Sequence, residues 1–305
     1  MNFSVEVNNI KKVYSSGKET ITALHGISFN VNEGELFGLI GPDGAGKTSL
    51  FRILTTVLLP DGGSATVNGL DVVKDYKKIR NCVGYMPGKF SLYQDLTVEE
   101  NLNFFATLFN TSIEENYELV KDIYVQIEPF KKRRAGKLSG GMKQKLALSC
   151  ALIHKPAVLF LDEPTTGVDP VSRKEFWEML KRLKLQGISI VVSTPYMDEA
   201  TLCDRIALIQ HGNILSIDTP QKIVKSFPNQ LYALKAKEIY RLLKDINEYE
   251  YSSSCYPFGE YLHLVLKKEN GEGELLDYLK TRNHSDVELK PIEATIEDCF
   301  IGLLK

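Results

Sequence analysis

The sequence predicts an α/β protein built around a mostly parallel sheet, and three observations lead to that fold class. A glycine-rich octet at 41–48 stands between an apolar run and a stretch with helical spacing. A second apolar run, 157–161, ends in two adjacent carboxylates. From residue 159 onward, strand-like and helix-like stretches alternate, with strands expected at 188–193 and 205–210. This alternation is typical of a parallel sheet with helices on both faces.

The octet has the spacing G-x-x-x-x-G-K-S/T of a phosphate loop. Its residues are Gly41, Pro42, Asp43, Gly44, Ala45, Gly46, Lys47 and Thr48, and Ser49 follows in the same expected ATP-binding set. Glycines allow positive φ and let backbone N–H groups converge on phosphate oxygens. A buried strand at 36–40 and a helix at 47–56 would place the phosphates at a helix N-terminus. We expect Lys47 to reach the β- and γ-phosphates and Thr48 to bind Mg²⁺.

The carboxylates after the second apolar run are the next candidates. Asp162 and Glu163 stand at the expected carboxyl end of a buried strand. In phosphate-loop ATPases the first such residue holds Mg²⁺ and a second can orient the attacking water. Asp162 is therefore the expected magnesium ligand and Glu163 the expected catalytic base. The alternative is an acidic strand end that is simply solvated.

Composition limits the function classes. The 305 residues carry a net charge of −2, so no basic surface for nucleic acid is expected. The five cysteines form no C-x-x-C pair, which suits a reducing compartment. The first residues lack the pattern of a signal peptide, and no apolar run is long enough to span a membrane. The basic run 131–134 is expected to be a solvated helix end.

A third motif lies between the octet and the carboxylates. Its residues are Leu138, Ser139, Gly140, Gly141 and Met142, with Ser139 as the expected N-cap of a helix. Together, the ordered motifs closely resemble those of the ATP-binding-cassette (ABC) ATPases over roughly the first 220 residues. The resemblance implies that 138–142 is the signature motif, which contacts the γ-phosphate held by a second cassette. It also implies that Tyr14 stacks on adenine and that Asp169 faces the dimer partner, with ATP and Mg²⁺ as cofactors. A core position for the Tyr14 ring is the alternative.

Two positions depart from the family pattern. The family has a glutamine that senses Mg²⁺ where this chain has Gly88, and a histidine that contacts the γ-phosphate where it has Pro195. Gln94 comes six residues too late unless a shifted loop brings it back. Because both losses concern hydrolysis while the binding motifs are intact, we expect a site with weak turnover. Tolerated drift is the alternative.

The expected layout has two domains. Residues 1–226 form the ATP-binding domain, with short antiparallel strands and turns at Gly17 and Gly26 in 3–31, and a helical subdomain at about 89–152. Residues 227–305 form a small α/β domain, with strands at 231–235, 261–267 and 287–291 and helices at 238–247, 273–282 and 295–304. Its ending, 293–300, resembles the tail of cassettes that serve ABC-2-type exporters. Dimer contact, regulation and simple packing are all open roles for this domain.

The resemblance implies an ATP-binding subunit of an ABC-2-type exporter, cytoplasmic and peripheral on the inner face of the membrane. Its partners would be ABC-2-type permease subunits and a second cassette, with no nucleic acid. An intact signature beside a weak site predicts a heterodimer. An active homodimer, a non-transport ABC ATPase and an ATP-gated scaffold are the alternatives. The permease would select the substrate, so the cargo does not follow from this chain.

Overall fold

The computed structural model describes residues 2–17, 19–267 and 271–304. The chain divides into two compact units, residues 1–220 and 221–305. This division falls at the start of the helix Pro220–Lys225, whereas the sequence placed the break after it, at 226/227.

The described residues contain fourteen strands and ten α-helices. The strands are β1 (Phe3–Ser16), β2 (Glu19–Asn32), β3 (Leu36–Ile40), β4 (Gly62–Val67), β5 (Leu70–Asp71), β6 (Val83–Met86), β7 (Val158–Asp162), β8 (Ser189–Thr194), β9 (Arg205–Gln210), β10 (Asn213–Asp218), β11 (Leu231–Lys235), β12 (Ser252–Phe258), β13 (Tyr261–Leu266) and β14 (Glu288–Ile292). The helices are α1 (Lys47–Leu54), α2 (Tyr76–Cys82), α3 (Val98–Leu108), α4 (Tyr117–Tyr124), α5 (Gly140–Leu152), α6 (Pro170–Leu185), α7 (Pro220–Lys225), α8 (Ile239–Glu248), α9 (Glu272–Thr281) and α10 (Ile296–Leu303).

The main sheet has the strand order β10-β9-β3-β8-β7-β6. Strands β9, β3, β8, β7 and β6 are parallel, and β10 pairs antiparallel with β9 at the edge. Every residue of β3, β7 and β8 is buried, as continuous apolar runs predict for a sheet covered on both faces. The carboxyl ends of four neighbouring strands, β3, β8, β7 and β6, therefore lie along one edge, where ligands bind in such sheets.

The second sheet of the first unit differs from the expected series of short strands. It has the order β2-β1-β4-β5, and its first two strands are long and antiparallel. Gly17 lies in the turn between them. Gly26 is not in a turn: it lies at a register shift, where Ile10 pairs with Ile27 but Lys11 with His25, and its φ is +114°. The sequence predicted a turn at Gly26, but the positive φ of this glycine belongs to a β-bulge.

Three helices, α3, α4 and α5, occupy the segment in which a helical subdomain was expected. Thr97 caps α3 in a capping box, since its hydroxyl accepts from Glu100 N and its own N–H donates to the Glu100 carboxylate. The buried Asn101 holds the preceding loop, because its side chain bonds both the N–H and the carbonyl of Tyr93. The loop 88–97 thereby gains a fixed end at α3.

The second unit is an antiparallel sheet with helices. Its strand order is β12-β13-β11-β14, and every pairing is antiparallel. The strands and helices expected here occur within one residue of their expected bounds, and β12 is an additional strand.

Candidate nucleotide-binding site

The loop 41–46 connects the buried strand β3 to helix α1 and packs tightly on the sheet. A Cβ on Gly41 would lie 2.1 Å from the Ile209 carbonyl oxygen, so only glycine fits there. Gly44 and Gly46 have φ of +77° and +103°, which favour glycine. The loop therefore has the conformational requirements that its spacing predicts, and α1 begins directly after it at Lys47.

Lys47 joins this loop to the end of β7. Its side chain is only 3% exposed, and its Nζ donates to the carbonyls of Gly41 at 2.7 Å and Pro42 at 3.0 Å. The same Nζ lies 3.1 Å from Glu163 Oε1. A cation and a carboxylate from separate motifs thus meet at the carboxyl edge of the sheet.

The two carboxylates have different environments. Asp162 is 2% exposed and accepts from Ser193 Oγ at 2.6 Å. The Glu163 N–H is 3.1 Å from both the Ser193 carbonyl oxygen and its hydroxyl. Glu163 has a φ of +50°, an uncommon conformation for a side-chain-bearing residue that costs about 1 kcal/mol or more. In this backbone conformation the Glu163 carboxylate lies within ion-pair distance of Lys47.

The Tyr14 ring lies near the loop on the surface. It is 39% exposed, its hydroxyl is 3.1 Å from Ser49 Oγ, and the Lys12 ammonium lies 5.6 Å from its centre. A partly exposed ring differs from the alternative of a core aromatic and leaves a face for stacking on a base.

The third motif forms the start of α5. Ser139 is the N-cap and its Oγ accepts from Met142 N at 3.4 Å. A Cβ on Gly141 would lie 2.8 Å from Ser172 Oγ, so the first turns of α5 and α6 are close neighbours. Asp169 caps α6 by accepting from Ser172 N at 3.0 Å, and this bond holds the pKa of its carboxyl below the usual range.

Comparison with known proteins identifies the family. The family model described as ABC transporter matches residues 24–166. The chain is 39% identical over 282 residues to the probable multidrug ABC transporter ATP-binding protein YbhF of Escherichia coli (strain K12), covering 90% of this chain and 48% of YbhF. It is 37% identical over 218 residues to the linearmycin resistance ATP-binding protein LnrL of Bacillus subtilis (strain 168), covering 70% of this chain and 69% of LnrL. The chain belongs to the ABC transporter family.

A solved ABC cassette has the same fold. The post-hydrolysis dimer of the cassette MJ0796, bound to ADP and Pi, matches with a TM-score of 0.65 and 27% identity, covering 70% of this chain and 98% of that one. The family and the α/β fold class predicted from the sequence are both confirmed: the chain contains an ABC ATPase domain, which binds ATP. The chain spans about half the length of YbhF. None of the helices in the described part of the chain has the length and apolar character needed to cross a bilayer.

Both departures from the ABC pattern lie at strand ends of this site. Gly88 follows β6, and a Cβ there would lie 3.1 Å from the Asp162 carbonyl oxygen and 3.8 Å from Glu163 Cβ. Pro195 follows Thr194, whose carbonyl accepts from Gly41 N at 3.2 Å. Gln94 packs against Gly136, whose N–H donates to the Gln94 carbonyl at 2.9 Å. The residues expected to bind phosphate thus lie together at this edge, while Gly88 and Pro195 offer no polar side chain there.

Sequence reasoning missed the polar residues behind this edge. Ser193 and Thr194 end the buried strand β8, and both bond to carboxylates, those of Asp162 and Glu199. The available signal was a pair of hydroxyl residues at the end of an apolar run. Glu199 gave no signal, because its burial depends on tertiary packing.

Proposed function

We propose that this chain is the ATP-binding subunit of an ABC-2-type exporter, peripheral on the cytoplasmic face of the membrane. ATP binding and hydrolysis in a pair of cassettes would drive a separate membrane permease. The observation that carries the proposal is the convergence of the phosphate loop, Lys47, Asp162 and Glu163 at one sheet edge in a chain of this family. The names of two relatives, a probable multidrug transporter protein and a linearmycin resistance protein, support export.

Each site residue takes one role in this proposal. The amides of 41–46 and Lys47 hold the phosphates, and Tyr14 stacks on adenine. The hydroxyl of Thr48 and the carboxylate of Asp162 are hard oxygen donors of the kind Mg²⁺ prefers, together with nucleotide phosphates. Glu163 activates the attacking water, because its carboxylate lies next to Lys47, at the end of the phosphate loop.

The permease would dock on a cleft beside the helical segment. The cleft has a volume of about 510 Å³ and is lined mainly by apolar side chains of α3, α5 and β6. The ring of His154 stacks on Phe109 at 3.8 Å in this cleft, and its buried Nδ1 has no hydrogen-bond partner among the described residues. Exposed Leu108 stands on the same lining. An apolar cleft in which one polar atom, His154 Nδ1, lacks a partner among the described residues is typical of a surface that binds a segment of another protein.

Membrane association tests this docking. Leu108→Asp should abolish co-purification of the chain with membranes that contain its permease, because it places a charge in the apolar cleft. Leu185→Asp is the matched control, since Leu185 is also exposed but does not line the cleft. Equal loss with both variants, or none with either, would contradict the docking.

We further infer that the chain pairs with a different cassette and contributes the weaker of two ATP sites. The support is that Gly88, which has no side chain, lies against the Asp162 backbone and the Glu163 Cβ, while the signature helix keeps its N-cap. The purified chain should therefore bind ATP–Mg²⁺ and hydrolyse it slowly. Gly88→Gln and Pro195→His together should raise turnover by about tenfold or more, since one transition-state hydrogen bond is worth about 100-fold. Fast turnover by the parent chain, abolished by Glu163→Gln, would indicate an active homodimer instead.

A further inference from the structure

A buried carboxylate behind the site connects three segments of the chain. Glu199 is 2% exposed. Its Oε1 accepts from Thr165 Oγ1 at 2.8 Å, and its Oε2 accepts from Thr194 Oγ1 at 2.5 Å. The Arg173 guanidinium lies 3.0 Å from Oε1 and supplies the opposite charge. A buried carboxylate with this many donors is fully compensated, so its removal would leave donors without partners.

Two of the three segments adjoin the phosphate loop and Glu163, and the third is the start of α6. Thr194 precedes Pro195, and its carbonyl fixes Gly41 of the phosphate loop. Thr165 stands two residues after Glu163 and accepts from Val168 N through its carbonyl, in the turn that leads to Asp169. Arg173 belongs to α6, which Asp169 caps, and its guanidinium lies 4.3 Å from the ring of Tyr196. One carboxylate thus joins the ends of β7 and β8 to the first turns of α6.

We propose that Glu199 is a positioning residue for the γ-phosphate end of this ATP site. It holds the segment after β8 and the segment after Glu163 in one fixed arrangement, through Thr194 and Thr165. It contacts neither the adenine-side residue Tyr14 nor Lys47 in the described contacts. Its effect should therefore fall on the discrimination of ATP from ADP and on the rate of hydrolysis, because a misplacement of about 1 Å can cost about 100-fold in rate. The proposal concerns this chain's own site and does not depend on a second cassette.

Two measurements on the purified full chain test this role. Glu199→Gln should weaken binding of a non-hydrolysable ATP analogue by about tenfold while the Kd for ADP changes less than about twofold. It should also lower the rate constant of hydrolysis in single-turnover assays by about 10- to 100-fold, measured at saturating ATP so that the weaker binding does not contribute. Binding of the analogue gives an answer even where turnover is slow. Equal loss of affinity for both nucleotides would show a merely structural residue and overturn the proposal.

The chain offers matched controls for each contact. Asp198→Asn removes the neighbouring carboxylate, which is 75% exposed and lies 3.3 Å from the same guanidinium, and should leave both quantities within about twofold. Thr194→Val should reproduce the Glu199→Gln phenotype, and Thr194→Ser should retain most of the parent behaviour because it keeps the hydroxyl. These milder changes keep the test valid if Glu199→Gln unfolds. Parent-like ATP selectivity in Thr194→Val would refute the positioning role.

Discussion

The position of the Lys47 ammonium is fixed by the polar groups around it. Its ammonium is buried and lies against two loop carbonyls and the Glu163 carboxylate. A buried cation is tolerated only when such partners compensate for the lost water. The sequence predicted this lysine from motif spacing alone. It could not predict the contact with Glu163, because that pair joins residues 116 positions apart (163 minus 47) and depends on the order of strands in the sheet.

Lys47→Ala should raise the Kd for ATP by about 100-fold or more, since a charge-assisted bond to phosphate contributes about 1.5–3 kcal/mol and the loop loses an anchor. Calorimetric titration with ATP–Mg²⁺ measures the effect. The control is Lys78→Ala, which removes an exposed lysine paired with Asp75. Unchanged affinity in Lys47→Ala would exclude the proposed phosphate contact.

At Tyr14, the contributions of the ring and of the hydroxyl to ATP binding can be measured separately. Tyr14→Ala should weaken ATP binding by about 1–3 kcal/mol, the range for a base stacked on an aromatic side chain. Tyr14→Phe removes only the hydroxyl that lies near Ser49 and should stay close to the parent Kd. If the phenylalanine variant lost as much affinity as the alanine variant, stacking would not be the source.

At the scale of elements, the sequence pattern predicted the bounds of strands and helices well where one face, or a whole run of residues, is apolar. Strands β9 and β11 have the bounds that their apolar runs predicted. Strand β12 was missed, because three serines and a proline do not form the apolar pattern of a strand. Its pairing with β13 is what defines it. The long hairpin of β1 and β2 was read as several short strands, since the glycine in a bulge resembles a turn.

Helix α10 is held by a carboxylate that the sequence also could not identify. Asp298 closes a capping box with Thr295 and accepts from His263 at 2.6 Å and Tyr256 at 2.7 Å. Burial raises the pKa of Asp298, but hydrogen bonds from His263, Thr295 and Tyr256 outweigh it and leave the pKa below its usual value. This group thus stabilises the folded unit above its unfolded pKa of about 3.9, and the contribution is lost as the pH falls through the lower folded pKa.

Asp298→Asn should accordingly destabilise the second unit by about 3 kcal/mol near neutral pH, with a smaller difference from the parent in acid. The only tryptophan, Trp177, lies in the first unit, so its fluorescence reports that unit alone. Denaturation followed by circular dichroism should shift while the fluorescence transition does not. Asp277→Asn, at an exposed pair with Lys280, is the control and should cost under about 1 kcal/mol. A difference that grows in acid would contradict the assigned charge state.

At the scale of the whole molecule, the order of the motifs predicted the family and the fold, because each motif belongs to one strand end or helix start. The sequence could also locate the departures at Gly88 and Pro195. It could not show that Gly88 lies against the Asp162 backbone and the Glu163 Cβ, or that the starts of α5 and α6 are neighbours, since these contacts arise only in the folded chain. The proposed asymmetry between two cassettes combines both kinds of observation.

That asymmetry has a direct test in a reconstituted complex with a second, complete cassette. Ser139→Arg should abolish the ATPase activity of the pair, because a bulky cation at the N-cap of α5 would block the helix start meant for the partner's γ-phosphate. Glu163→Gln should leave most of the activity, since this chain's own site contributes little turnover. The control Ser64→Arg places the same bulky cation at an exposed position of β4 and should leave the activity of the pair unchanged. Equal loss from Ser139→Arg and Glu163→Gln would mean equivalent sites, and recovery of only homodimers from the native membrane would end the proposal.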